Sequence, residues 1–426
     1  MPMFKSQTTK KIASNTIYQI VGKVISMGIT IFATVLITRY YGRELYGEYS
    51  LMQTWPALFF VIVDFGINAI ATREISKDGS LAEKYFGNII KIRTAFSLFL
   101  MLVLGVVVLF FPYSAHLKFG IILSLLLILT QALYATTNII FQVKLRYDLS
   151  TIGYLLGYFV ILALIFVCSI FKADIIFVSM AYVAGGIVVY LANLHFVNKL
   201  GIHPDYKLDK DVVKYLLATS LPLGIMFVFS QVNFKADSIM LSVLHVPTRY
   251  GLSNTESVAL YALPYKVFEV SLVIPTFFMN SVYPVLVRHM TEGKERLRHT
   301  FMRSFGFLAI FGIFSGVVGA ALAPLLIKYL GGSEFTQSIL VLQMLLLGIV
   351  LYFLTQPLSW LIVTLGRQKY LPYIYLISAI FNVSANAFFI PRYSIYASAL
   401  ITHASELLIL IMLVFAAIKS WKEKYA

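Results

Sequence analysis

The stretch Phe229–Leu244, FSQVNFKADSIMLSVL, reads as the apolar interior of a membrane helix, yet it holds Lys235 and Asp237. Residues two apart on a helix sit about 200° round its axis, so these two cannot satisfy each other. Each needs a partner on another helix, or water in a cavity. Lys23, Asp64, Lys266, Glu269 and Glu406 lie at comparable depth, with His403 one turn from the last. Lys266 and Glu269 are three apart and can pair locally, and His403 and Glu406 share that spacing. Gln53, Asp64 and Asn68 fall on one face. Charge at such depth is costly, and it marks either interhelical ion pairs or a route for ions and polar cargo.

A second pattern lies in the first apolar stretch. Asn15, Gln19, Lys23, Ser26, Thr30, Thr34 and Thr38 are spaced by four, four, three, four, four and four. That is one polar stripe on a helix about 35 Å long. It lines a close helix contact or a wet cavity, and Lys23 favours the cavity. Nothing resembles a catalytic engine: there is no G-x-x-x-x-G-K-[ST] loop, no H-E-x-x-H and no Cys/His cluster. The Asp209-Lys210-Asp211 triplet lies in a Lys-rich link and is not expected to hold a metal. Cys168, alone in an apolar run, reads as a packed thiol. The expectation is a protein that is not an enzyme, with no cofactor and no metal.

The elements that carry these residues follow from composition. Of 426 residues 59% are hydrophobic and 12% charged, and mean hydropathy is +0.84, whereas soluble domains hold roughly 25% charged residues. Runs of about 20 apolar residues recur throughout. The chain is therefore expected to be an all-α polytopic membrane protein of about twelve helices, near 15–38, 47–72, 86–111, 119–143, 152–171, 175–197, 214–244, 258–286, 301–327, 336–365, 370–390 and 394–418. The basic N-terminus leads into a retained first span rather than a cleaved signal. With both termini cytoplasmic, the inner links hold 24 Lys and Arg, Arg93 counted among them, and the outer links seven. The net charge of +15 thus faces anionic lipid headgroups, not nucleic acid.

Two halves, 1–200 and 201–426, look alike. Tyr49 and Tyr261 lie 212 apart, Arg73 and Arg288 215, Lys172 and Arg392 220. Six helices per half run the same way, which implies a pseudo-twofold axis along the membrane normal. Pro56, Pro222, Pro264, Pro275, Pro324 and Pro357 fall inside or near spans and allow bending.

The segment RYYGRELYGEYSL, Arg39–Leu51, resembles the R-x-x-G-x-x-x-[YF]-G-x-Y pattern after the first helix of bacterial polysaccharide flippases. DFGINAIATREIS, KADSIML, LYALPYKVFE, SVYPVL and GRQK follow in the family's order. NAFFIPRYSIYASALI resembles its N-x-x-x-I-P-x-Y-G-I-x-G-A-A signature, departing with Ser394 for the first glycine and Ala397-Ser398 in the small patch. The chain thus resembles Wzx-type O-antigen flippases of the MOP (multidrug/oligosaccharidyl-lipid/polysaccharide) exporter superfamily. The resemblance implies two six-helix bundles around a central cavity. It also implies transfer of undecaprenyl-pyrophosphate-linked oligosaccharide from the inner to the outer leaflet of the cytoplasmic (inner) membrane, by alternating access coupled to H⁺ or Na⁺. The partners implied are that lipid, membrane lipids and other polysaccharide assembly proteins, as in lipopolysaccharide synthesis. On this reading Lys23, Lys235 and Lys266 meet the phosphates, Gln19 and Asn15 the sugars, and Asp64, Asp237, Glu269, His403 and Glu406 the coupling ion. The alternatives are a multidrug cation antiporter of the same superfamily and a membrane polysaccharide polymerase, the latter disfavoured by the short outer links.

Overall fold

Apolar stretches of this length satisfy their backbone only within helices or closed barrels. In a computed structural model the chain is helical, and no strand occurs among the described residues. The structure describes the backbone of residues 2–425 and the side chains of 17–221 and 224–425; those of Asn15 and Pro222 lie outside this set. The apolar segment Ile17–Lys77 has 61 residues, about 90 Å of helix against a hydrocarbon core of about 30 Å. Gly42 divides it, with φ 73° and ψ −176°, a conformation open to glycine. The two parts are α1 (17–41) and α2 (43–77), α2 breaking again at Phe65 and Gly66. There follow α3 Gly79–Leu109, α4 Ala115–Val143, α5 Tyr147–Ile170, α6 Ile175–Lys199 and α7 Lys210–Val243. The rest are α8 Asn254–Glu292, α9 Lys294–Leu330, α10 Ser338–Thr364, α11 Gln368–Tyr393 and α12 Ile395–Tyr425. Several are broken or open in a short 3-10 turn. The described residues thus supply about twelve spans, as the hydropathy predicts.

Two compact units divide at Val228–Phe229, inside α7, rather than in the link after Leu200. The reason is local. The first turns of α7 bring Val212 and Leu216 into a core with Ile67, Ile75, Phe86, Ile89 and Val197. The link 201–209 is strapped to α3: Asp205 N–H donates to Glu83 O (3.1 Å) and Asn88 Nδ2 to Lys207 O (3.0 Å). Asp209 N–H donates to Asn88 Oδ1 at 2.8 Å, and the Asp209 carboxylate meets Lys84 at 2.5 Å. Lys84, followed by the Val212 amide, holds the exposed Asp209 carboxyl below the usual carboxylate range. At the other end of this unit His116 ties three helices together, with Nδ1 3.0 Å from Glu48 and Nε2 2.8 Å from Asp174, which also caps α6.

The internal repeat has structural counterparts. Tyr49 and Tyr261 are each almost fully buried. The link before the last span of each half turns at a left-handed residue that is not glycine, Lys172 (φ 47°) and Ser394 (φ 50°).

The strap generates a prediction. A Cβ at Gly87 would collide with the Asp205 backbone, so Gly87→Val must push the link off α3. A lower melting temperature in detergent is expected, with faster amide exchange confined first to 201–209. An unchanged melting temperature would contradict the strap.

Candidate functional site

Within the second unit, Asp237 on α7 is fully buried. Tyr261 Oη donates to its Oδ2 at 2.7 Å, Thr402 Oγ1 reaches the same oxygen at 2.9 Å, and Asn386 Nδ2 donates to Oδ1 at 2.9 Å. Four helices therefore converge on one carboxyl: α7, α8, α11 and α12. Among the described residues no Lys, Arg or His pairs with it. Hydrogen bookkeeping sharpens the point. Thr402 Oγ1 also lies 2.8 Å from Ser398 O and 3.1 Å from Tyr261 Oη. Four short contacts thus share the hydrogens of two hydroxyls. A proton on Asp237 supplies a third. A monovalent cation would meet the same need; Asn386 Oδ1 and Ser398 Oγ are buried oxygens without a hydrogen-bond partner. The network runs on from Asn386 to Asn382 and Ser405.

The charges around this network divide into two kinds. Lys235 pairs with Glu269 at 2.5 Å, which ties the α8 carboxylate to α7; Lys266, three residues from Glu269 on α8, interacts electrostatically with the same carboxylate. Lys235 and Asp237 indeed take separate partners. Glu406 is buried with the Thr355 hydroxyl at 2.5 Å, and among the described residues no cation pairs with it. His403 does not turn toward Glu406: its Nε2 donates to Met344 O at 2.9 Å, and its ring packs against Phe268 and Tyr352.

In the first unit the polar stripe of α1 is largely self-satisfied. Ser26 donates to Lys23 O, Thr30 to Ser26 O, Thr34 to Thr30 O and Thr38 to Thr34 O, at 2.8–3.0 Å. Ser26, Thr34 and Thr38 are buried, so that part of the stripe is a helix contact. Lys23 is exposed and its ammonium has no protein partner among the described residues; Gln19 is half-buried. Asn15 falls outside the described side chains.

Asp64 meets Arg93 at 2.6 Å, and Arg93 is wholly buried, also donating to Thr136 at 2.9 Å. The charge count placed Arg93 in a cytoplasmic link; it is instead a fourth cation inside the spans. The partners Tyr261, Thr402, Thr355, Asn382 and Asn386 carry no charge in the sequence to mark them as site residues. The four-residue spacing of the two asparagines on α11 was the one available signal.

A bundle of about twelve apolar helices with buried ionisable residues is the frame of a membrane transporter, and the comparisons bear on which. The family model described as polysaccharide biosynthesis protein matches residues 12–290, about two thirds of the chain. The protein belongs to that family. The MatE model matches 222–388, and no curated protein matches the sequence. Among solved structures, the lipid II flippase MurJ in an inward closed conformation superposes with TM-score 0.74 at 17% identity, over 96% of this chain and 89% of that one. An inward-facing multidrug resistance MATE transporter of the MOP superfamily gives 0.75 at 12%, over 94% and 96%. A MOP superfamily transporter from Pyrococcus furiosus gives 0.62 at 12%, over 97% and 95%. The fold is that of the MOP superfamily, and these neighbours are flippases and transporters.

The Arg93–Asp64 pair is testable on its own. Arg93→Met leaves Asp64 without its cation and should cost about 3–5 kcal/mol of stability, read as the unfolding midpoint in mixed micelles. Adding Asp64→Asn should return most of that loss. A double variant no better than Arg93→Met would show that the two side chains are not coupled.

Proposed function

We propose that the protein carries undecaprenyl-pyrophosphate-linked oligosaccharide, O-antigen or a similar repeat unit, from the inner to the outer leaflet of the cytoplasmic membrane. Alternating access does the carrying, coupled to H⁺ or Na⁺ at Asp237. The observation that carries this reading is membership of the polysaccharide biosynthesis family in a chain whose fold matches a lipid-linked sugar flippase. Both termini are taken as cytoplasmic, from the Lys and Arg excess on the inner links, which is 23 once Arg93 is moved into its span.

The geometry redistributes the roles. Asp64 and Glu269 have cations beside them, Arg93 and Lys235, so we assign them to structure. Asp237 and Glu406 have none among the described residues, and we assign them the coupling ion. One carboxyl among neutral oxygens matches the charge of a proton or a sodium ion. His403, bonded to a backbone carbonyl, positions α12. Lys235 is engaged by Glu269, which leaves Lys23 as the ammonium best placed for a pyrophosphate, a point charge that releases as readily as it binds. Lys266 is assigned the same kind of contact in its own unit, and Gln19 a sugar hydroxyl.

The second reading, a cation antiporter, is favoured by the MatE match over 222–388 and by the two carboxylates without cations. Cargo charge separates the two. In proteoliposomes holding labelled lipid-linked oligosaccharide, wild type should flip the lipid faster under an inward sodium or proton gradient. Asp237→Asn keeps the shape and supplies an amide hydrogen where a proton would sit, so it should lose the gradient's acceleration, about tenfold, while keeping slow flipping. Lys23→Ala should abolish flipping in a folded protein. Gradient-driven efflux of a cationic dye with no lipid movement would replace this reading with the antiporter.

A further inference from the structure

A cleft of about 560 Å³ opens in the second unit between α9, α10 and α12, at the end where α8 hands over to α9. Its lining is split by chemistry. Nine of twelve residues are apolar or aromatic, Phe301, Phe305 and Trp421 among them; the other three are Lys294, Arg298 and Lys422. Sequence spacing produces the split. On α9, Lys294, Arg298, Phe301 and Phe305 follow at four, three and four residues, so one helix face passes from basic to aromatic going into the membrane. The last turns of α12 repeat that order in reverse, with Val414 and Ile418 below Trp421 and Lys422.

The three cations are unlike their neighbours. Arg296 is paired with Glu292 at 2.7 Å and Arg367 with Glu423 at 3.0 Å. Among the described residues no carboxylate pairs with Lys294, Arg298 or Lys422; Lys294 only overlies the Tyr425 ring, 5.9 Å from its centroid. Three positive charges collected on the rim of an apolar cleft repel one another unless an anion sits between them. Met302 and Ile418, 56% and 50% exposed, leave the cleft open on its apolar side.

We propose that this cleft is a binding site for an anionic membrane phospholipid, with its phosphate among Lys294, Arg298 and Lys422 and one acyl chain laid on Phe301, Phe305 and Leu361. The charge of the rim selects an anionic headgroup. The apolar lining selects a lipid over soluble phosphate, which could use the rim but none of the interior. The site belongs to the second unit alone and stands whatever the protein carries.

The test uses the full-length protein purified in a neutral detergent and titrated with phosphatidylglycerol, phosphatidylcholine or inorganic phosphate. Bound lipid is counted by native mass spectrometry and melting temperature is recorded. One phosphatidylglycerol should remain bound and raise the melting temperature, with phosphatidylcholine and inorganic phosphate inert. The triple variant Lys294→Gln, Arg298→Gln, Lys422→Gln should bind phosphatidylglycerol at least roughly tenfold more weakly. Should the triple variant fail to fold, Phe305→Trp fills the cleft with every charge kept and should lower the same affinity. Undiminished binding in either folded variant overturns the proposal, as does stabilisation by inorganic phosphate alone. Displacement of phosphatidylglycerol by a smaller amount of a polyprenyl pyrophosphate would also overturn it, by making the cleft a cargo site.

Discussion

A carboxyl group sealed inside an apolar helix bundle, with no cation beside it among the described residues, governs the organisation of the second unit. Ionised and alone, Asp237 would be among the most costly groups a membrane protein can hold. Four helices answer that cost with hydroxyls and amides and not with a lysine, although Lys235 is only two residues away on the same helix. The helix turn sends that ammonium to Glu269 instead. The polar residues of α8, α11 and α12 are placed at single positions and at four-residue spacing to reach one point. Their hydrogens still fall short of the contacts made. On the proposal made above, a proton or a monovalent cation eases that shortfall at the point where the four helices meet.

Compensated and uncompensated charges thus have different work. Arg93 with Asp64 and Lys235 with Glu269 join helices and fix register, and removing one partner damages the fold. Among the described residues Asp237, Glu406 and Lys23 have no opposite charge beside them, which is why the proposed function gives them the ion and the cargo. In α1 the same division appears within one stripe. Its threonines bond back to their own helix and pack, whereas Lys23 stays exposed.

Much of this was legible in the sequence. Span number and class follow from hydropathy, because a bilayer leaves the backbone few choices. The separation of Lys235 from Asp237 follows from the helix turn. What could not be read was which distant helix supplies each partner. Glu269 has Lys266 at a suitable spacing on its own helix, but that Lys235 of α7 also reaches it is decided by packing alone. A cation near a helix end ordinarily marks the membrane boundary, but α3 begins at Gly79, and Arg93, fourteen residues on, is buried against Asp64. Tyr261 and Thr402 escaped notice since a neutral hydroxyl in a membrane helix is common and has meaning only beside a carboxyl. The unit boundary moved into α7 for a similar reason, as Val212 and Leu216 are simply apolar until they are seen packed on α2 and α3.

Asp237 is proposed to take a monovalent ion, and ion binding to the purified protein measures that without cargo or membrane potential. Sodium should bind saturably by calorimetry, with affinity weakening as pH falls because protons compete for the same carboxyl, and Asp237→Asn should abolish the signal. If sodium does not bind, direct titration of the carboxyl by infrared difference spectroscopy should show one proton taken up and released. A protein in which Asp237 binds neither ion, or in which sodium binding survives Asp237→Asn unchanged, would contradict the account.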